Sequence, residues 1–415
     1  MAKKKFTLAT LGCRTNQYET QGYRDQLVQM GYEEAREGEE ADLCIVNTCT
    51  VTESADSASR HQIRQLVRKN PGAEVVVTGC MAERRPDLIE KIGGVSRVVS
   101  NKEKESLLSY VFPGEEIPEF SIKNFEAHTR AFVKVQDGCN SFCTYCIIPY
   151  VRGRSRCRGV EEVLREVKEL VASGYKEVVV TGINVGDYED GERGLADLMR
   201  EIDKVEGLER LRLSSIDPDE VDEALLEVIL NGKHTCHSLH IVLQSGSNVI
   251  LKRMNRKYTR QIFFDTIERV KRASPDFTFT TDIIVGFSGE TETDFQDTLE
   301  VMDEVEFAKV HMFPYSPREK TRAALYPNRV PHEVVQERKQ LLLRRAEENA
   351  FQLREKYVGR TMLVLTEKGE GETLAGHTEN FLSVTIPAKG LRTNEIVSVF
   401  LKENTPEGLR GVPVA

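Results

Sequence analysis

Short apolar runs alternate with amphipathic stretches through the first hundred residues. Residues 6–11, 43–47 and 75–78 are apolar on both faces and read as buried strands, while 17–30, 54–69 and 85–92 carry helical spacing between and after them. Such alternation predicts a parallel sheet with crossover helices, which residues 97–100 extend by a fourth strand. The pattern breaks over 111–128, where Phe112-Pro113-Gly114, acidic residues and Pro118 predict a linker.

Beyond it the alternation resumes. Residues 131–135, 177–183, 210–214, 239–244, 278–285 and 307–313 read as six strands, with helices over 160–172, 195–204, 220–230, 261–273 and 291–303. Six such units predict a partial (β/α)6 barrel, open on one side, with its working edge at the strands' carboxyl ends. A long charged helix over 331–357 leads out. The texture then turns to β, with strands over 361–365, 381–386 and 396–401 and turns at Gly369, Gly371, Gly376 and Gly390, which predicts a small β-barrel. The fold class is therefore α/β, in three parts: an α/β domain over 1–118, the partial barrel over 119–350 and the β-barrel over 351–415.

Composition narrows the setting. A hydrophobic content of 40% in 415 residues supplies ample cores, and one domain per about 150 residues allows two or three. The basic start, residues 1–5, precedes an apolar stretch too short for a secretory signal, and no apolar run is long enough to span a bilayer. A cytoplasmic protein is expected, whose nine cysteines are ligands or core residues and not disulfides. The net charge of −9 argues against indiscriminate coating of nucleic acid. Two local groups of cations, Arg152, Arg154, Arg156 and Arg158, and Lys252, Arg253, Arg256, Lys257 and Arg260, are expected to face an anionic substrate.

The chemistry lies in the cysteines. Cys139, Cys143 and Cys146 place three soft thiols within eight residues, with no fourth nearby; such a tripod suits an iron–sulfur cubane with one iron open to a ligand. Zinc usually takes a fourth local ligand and is the weaker reading. Cys13, Cys49 and Cys80 each follow a predicted strand of the first sheet, at the edge where parallel sheets bind ligands. A second three-thiol cluster is expected there, whereas Cys44, inside a strand, is expected to pack. Cys236 with His234 and His237 reads as a surface loop in preference to a metal site. Polar and glycine residues at several barrel-strand ends form a plausible cradle, with Tyr145, Gly182 and Gln244 as expected cofactor contacts.

The motif C-x3-C-x2-C with Tyr145 before its last cysteine resembles the radical S-adenosylmethionine enzymes. With Leu11-Gly12-Cys13-Arg14-Thr15-Asn16-Gln17-Tyr18-Glu19, Asn47-Thr48-Cys49, Thr78-Gly79-Cys80, Leu243-Gln244-Ser245-Gly246-Ser247 and Asp282-Ile283-Ile284-Val285-Gly286-Phe287, nearly the whole chain resembles the methylthiotransferase family. Gly376-His377-Thr378-Glu379-Asn380-Phe381 resembles that family's TRAM domain, although residues 351–415 hold eight cations against eight anions and show no general basic signal. The resemblance implies two [4Fe-4S] clusters, one on Cys139, Cys143 and Cys146 and an auxiliary one on Cys13, Cys49 and Cys80, all six cysteines taking part in catalysis. It further implies S-adenosylmethionine, cleaved to a 5′-deoxyadenosyl radical, and insertion of a methylthio group at C2 of an adenosine. That carbon offers no acidic proton to a side-chain base. The Asn-Gln-Tyr-Glu after Cys13 resembles the branch acting on N6-threonylcarbamoyladenosine in the tRNA anticodon stem-loop; Arg14-Thr15 departs from the Lys-Val expected there. Isopentenyladenosine, a ribosomal-protein aspartate and, outside enzymes, a structural iron–sulfur RNA-binding role are the alternatives. An electron-donor protein is implied as a partner; DNA and membrane are not.

Overall fold

Three six-residue strands, each apolar and each ending in small or polar residues, form the centre of the first part of the chain: β1 (Lys5–Thr10), β2 (Leu43–Thr48) and β3 (Glu74–Gly79). They run parallel side by side in that order, with two-residue strands, Glu33–Glu34 and Arg97–Val98, at the edges. The helices α1 (Arg14–Gln29) and α2 (Glu53–Lys69) are the crossovers. Apolar groups fill both faces: Cys44, Val46, Ile63 and Val77 on one, Phe6, Tyr23, Leu27 and Ile45 on the other. The helix expected over 85–92 is the shorter Pro86–Glu90, and a separate helical turn, α3 (Cys80–Arg84), precedes it, because Pro86 cannot continue a helix begun before it.

The computed structural model describes residues 4–123 and 129–414. It divides into two compact units, the first made of Met1–Phe125, Gln136–Arg156 and Ser316–Ala324, the second of Glu126–Val135, Cys157–Tyr315 and Leu325–Ala415. The expected linker is in part built into the first unit. Gln26 Nε2 donates to Pro118 O at 2.7 Å, and Phe120 packs on Tyr23 at 5.7 Å between ring centroids. Residues 124–128 of that stretch lie outside the described residues. The first unit also takes in the loop that holds Cys139, Cys143 and Cys146 and the short helix α4 (Ile148–Val151) after it.

In the second unit β4 (Arg130–Lys134), β5 (Glu177–Thr181) and β6 (Arg210–Leu213) pair in parallel, β5 in the middle. Ser215–Ile216, β7 (Ser238–Ile241), β8 (Thr278–Val285) and β9 (Lys309–Pro314) form the continuing parallel sheet. The strand expected over 210–214 is thus split between two sheets. Helices α5 (Val160–Ala172) and α6 (Glu292–Val305) are among its crossovers, and α7 (His332–Glu355) leads out.

The terminal β-barrel is closed by five strands, two more than the sequence showed: β10 (Thr361–Glu370), β11 (Thr373–Thr378), β12 (Ser383–Pro387), β13 (Ile396–Thr405) and β14 (Gly408–Pro413). Gly376, expected in a turn, sits inside β11, where a Cβ would come 2.0 Å from Leu365 O. The barrel is seated on the amino ends of the parallel strands. Arg210 donates to His377 O at 3.0 Å and Arg212 to Glu379 O at 3.0 Å; Phe381 lies under both Arg130 and Arg212. Burial pushes Glu177 up, but Arg212, Arg130 and Arg210 outweigh it and hold its carboxyl below the usual range.

Candidate functional site

In the first unit the register aligns the strand ends. Thr10 pairs with Asn47 and Thr48 with Gly79, so Cys13, Cys49 and Cys80 all leave one sheet edge. Two glycines let these exits close up. At Gly12 (φ +97°) a Cβ would lie 2.9 Å from Cys49 Sγ, and at Gly79 (φ +95°) 2.4 Å from Thr48 O, both conformations that side chains resist. Burial pushes the Cys49 thiol up to about 12, with Cys80 and Cys13 adding to it; burial also raises Cys80. Cys49 and Cys80, each raised further by a neighbouring thiol, stay thiolates together only beside positive charge.

The second tripod sits on a loop tied from several sides. Gly138 (φ +75°) brings the chain so close to Arg154 O that a Cβ would meet it at 2.1 Å. Cys139 N donates to Gly153 O at 3.2 Å, Cys146 N to Cys143 O at 3.0 Å and Ala323 N to Thr144 O at 2.8 Å. Ser141 N donates to Cys139 Sγ at 3.4 Å. Phe142 (φ +47°) lies under Arg154 at 4.3 Å. Among the described residues no group of three His, Cys, Asp or Glu is placed to hold a single metal ion. A cubane, several atoms across, holds its thiolates further apart than one ion does, and an all-cysteine donor set is the chemistry such clusters use.

Cys80 packs with Ile147 and Val151, which begin and end the turn after Cys146. Arg152 follows, and it leaves the expected cationic patch, of which Arg154 and Arg156 are exposed. Its side chain is fully buried and pairs with Glu19 at 3.0 Å and Asp137 at 2.8 Å, and it also donates to Asn16 Oδ1. Lys104 bridges the same two carboxylates, at 2.6 Å from Glu19. Arg158 is likewise engaged, by Glu162 and Glu166. In the other expected group Arg256 pairs with Asp217 and Arg260 with Asp297 and Glu300. Charge spacing in sequence is blind to the partners of Arg152, Arg256 and Arg260, which come from distant elements. The network was nevertheless foreshadowed: Asn16 and Glu19 are polar residues on the buried side of α1, and Asn16 Nδ2 also donates to Leu11 O at 2.7 Å and Thr48 O at 3.1 Å, bracing the exits to Cys13 and Cys49.

In the second unit Gly182 follows β5 and Gln244 lies past β7 in a left-handed conformation, φ +61°. Gln244 Oε1 and Ser214 Oγ, at the carboxyl ends of their strands, are buried with no hydrogen-bond partner among the described residues, as atoms that receive a polar ligand would be. Asn184 and Glu220, which sequence reasoning did not single out, meet at 2.9 Å on the same rim, and burial with Asp217 beside it pushes Glu220 up to about 7. Tyr145 belongs to the first unit and is half-buried. Cys157 Sγ contacts Asp187 O at 3.4 Å; Cys44 is a core residue. Cys236, expected in a surface loop, is buried, its thiol pushed up to about 12, while His237 stacks on Phe277.

Residues 133–302 match the radical SAM superfamily and residues 5–100 match the uncharacterized protein family UPF0004. The chain is 50% identical over 412 residues, 99% of its length and 98% of the relative's, to the threonylcarbamoyladenosine tRNA methylthiotransferase MtaB of Chlamydia pneumoniae. It is 37% identical to the MtaB of Bacillus subtilis, over 96% of this chain and 94% of that one. To the tRNA-2-methylthio-N(6)-dimethylallyladenosine synthase of Oceanobacillus iheyensis it is 36% identical, over 99% of this chain and 84% of that one. Among solved structures it resembles the radical S-adenosylmethionine methyltransferase TsrM of Kitasatospora setae, with a TM-score of 0.55 at 15% identity over 76% of this chain and 74% of that one, a likeness of fold.

Proposed function

Because the chain belongs to the radical-SAM methylthiotransferase family, we propose that it converts N6-threonylcarbamoyladenosine beside the tRNA anticodon to its 2-methylthio derivative. The observation that carries the reading is that two three-cysteine sets, each short of a fourth thiol, fall in one compact unit of a chain this similar to a threonylcarbamoyladenosine methylthiotransferase. Cys139, Cys143 and Cys146 would hold the [4Fe-4S] cluster of the superfamily, and Cys13, Cys49 and Cys80 an auxiliary one. When bound, the first supplies an electron and an open iron for cleaving S-adenosylmethionine, and the second an open iron for a sulfur.

The protein's own contribution is placement. Gly12 and Gly79 let the auxiliary thiols approach; Asn16 and Asn47 fix the strand ends beneath them; Gly138 and the Thr144 carbonyl's partner fix the other loop. Gly182 and Gln244 would contact S-adenosylmethionine, the orphaned Gln244 oxygen accepting a donor from it, and Tyr145 is proposed as a further contact. The remaining assignments follow the same reading: an auxiliary domain over 1–118, a core over 119–350, a TRAM-like barrel over 351–415, a cytoplasmic setting, the tRNA anticodon stem-loop as substrate and an electron-donor protein as partner. A base in a loop can be splayed out and read singly, unlike one in an RNA helix.

Mass spectrometry of tRNA nucleosides tests this directly. Expression of the protein in a strain lacking the modification is expected to produce the 2-methylthio form of threonylcarbamoyladenosine; its absence, or methylthiolation of isopentenyladenosine alone, overturns the substrate. Alanine at Cys139, Cys143 and Cys146 together is expected to abolish S-adenosylmethionine cleavage. Alanine at Cys13, Cys49 and Cys80 is expected to halve the iron content and abolish thiolation while uncoupled cleavage persists, and thiolation by that variant would remove the auxiliary site from the reading.

A further inference from the structure

The loop that carries Cys139, Cys143 and Cys146 presents more than thiols. Phe142, between the first two, has a left-handed backbone (φ +47°), which a bulky residue keeps only where its surroundings fix it. Two side chains pack on its ring. The Arg154 guanidinium lies over it, 4.3 Å from the centroid, and the Tyr150 ring stands against it at 6.2 Å and 82°. The Arg154 segment is itself clamped to the loop, Ser155 N donating to Asn140 Oδ1 at 3.3 Å and Cys139 N to Gly153 O at 3.2 Å. All these residues belong to the first unit. The outward sides of the group are open. Tyr150 is 48% exposed, more than any other tyrosine among the described residues, and Tyr110, the next, is tied through its hydroxyl to Glu103. Arg154 is exposed and, among the described residues, pairs with no carboxylate, unlike Arg152 and Arg158. From Gly138 to Arg156 the chain has no Asp or Glu at all, although the whole carries a net charge of −9.

We propose that Tyr150 and Arg154, braced by Phe142, form a stacking platform for an unpaired RNA base beside the target adenosine, Tyr150 taking the face of the base and Arg154 the phosphate next to it. The inference rests on the proposed function and adds to it where the substrate's loop is held. An exposed ring beside an unpaired guanidinium, in a stretch without carboxylates, is complementary to a single-stranded nucleotide, which offers a π-face and a negative charge together. A base in a stem has its faces covered by its neighbours, so such a platform selects loop over helix. An acidic protein would answer the charge, but Tyr150 is the one exposed large apolar group of this stretch among the described residues. That is too little for the core of a protein interface and enough for one base. Because Phe142 lies between two of the cysteines, a base seated here is positioned by the same loop that holds them.

Anticodon stem-loop RNAs carrying 2-aminopurine at one or the other neighbour of the target adenosine test it with the iron-loaded protein, apart from turnover, since stacking quenches that fluorophore. Binding is expected to quench one of the two probes. Tyr150→Ala is expected to abolish the quenching and to weaken binding, read by fluorescence anisotropy, about tenfold, the worth of one stacked base; Tyr150→Phe keeps both. Arg154→Gln is expected to keep the quenching and to make the slope of log affinity against log salt shallower by about 0.7, one phosphate of a single strand; an unchanged slope overturns its part. Iron content is the control for folding of the loop, and if Tyr150→Ala loses iron, Tyr150→Leu, with bulk but no π-face, carries the same comparison. Quenching of neither probe, or quenching that survives loss of the ring, overturns the platform and leaves the function standing where the tRNA product still forms. RNA affinity unchanged by Tyr150→Ala, with slower reduction of the iron by flavodoxin, also overturns it, in favour of a docking surface for an acidic electron donor. A natural protein that neither binds the stem-loop nor yields the methylthio product overturns the function itself.

Discussion

A guanidinium removed from water needs charge around it, and at Arg152 that charge comes from Glu19 and Asp137, with Lys104 completing an alternating square. Removing one member of such a buried set leaves its partners uncompensated. Arg152→Gln is therefore expected to lower unfolding free energy by about 3–5 kcal/mol, with Arg152→Lys losing less, as measured by denaturant unfolding. Because α1 and the segment before Cys139 meet at this square, iron retention is expected to fall with it. Glu220 supplies a pH dependence. Its carboxyl is raised to about 7 by burial and Asp217, so the folded state favours its neutral form. The contribution is whole below its unfolded value, near 4.5, and is lost as pH rises through about 7. Glu220→Gln is expected to flatten stability between about pH 5 and 8, gaining up to about 3 kcal/mol over the natural chain at the upper end; parallel profiles would show that Glu220 ionises without cost.

At the scale of elements, the terminal barrel shows how close approach replaces turn formation as the reason for a glycine. β11 runs so near β10 that Gly376→Ala would place a methyl 2.0 Å from a backbone oxygen. It is expected to cost about 3 kcal/mol or more and to lower the thermal midpoint of the barrel, a loss Gly371→Ala in the neighbouring turn does not share through this contact. A strand with Gly376 and His377 in its middle carries little β propensity by itself; pairing with β10 on one side and β12 on the other makes it a strand. β14 was missed for the same reason: Gly408 and Gly411 let it pass close to other backbones, and the price is a weak apolar signal. The split of the third barrel strand, by contrast, reflects geometry of the sheet, where Ser215–Ile216 changes partner from β5 to β7.

Over the whole molecule, charge predicts how it meets RNA. With a net charge of −9 and the arginines of both cationic groups largely paired to carboxylates, phosphate contacts are expected to be few. The logarithm of stem-loop affinity against that of salt concentration is expected to be shallower than about −3, about four phosphates for a single strand. A much steeper slope would mean that cations now paired within the chain exchange partners on binding.

Residue types and spacing alone determined which thiols are candidates for cluster binding, the order of strand and helix and the station of three cysteines at strand ends, because periodicity of burial and the reach of adjacent residues are local properties. The same holds for Cys44, whose place inside a strand already meant packing. Only the tertiary structure decided that Arg152 is an internal cation, that Cys236 is buried and that Asn16 braces two cysteine exits. Each depends on partners far away in the chain, and which distant groups meet is fixed by strand order and register, quantities that no single stretch of residues encodes.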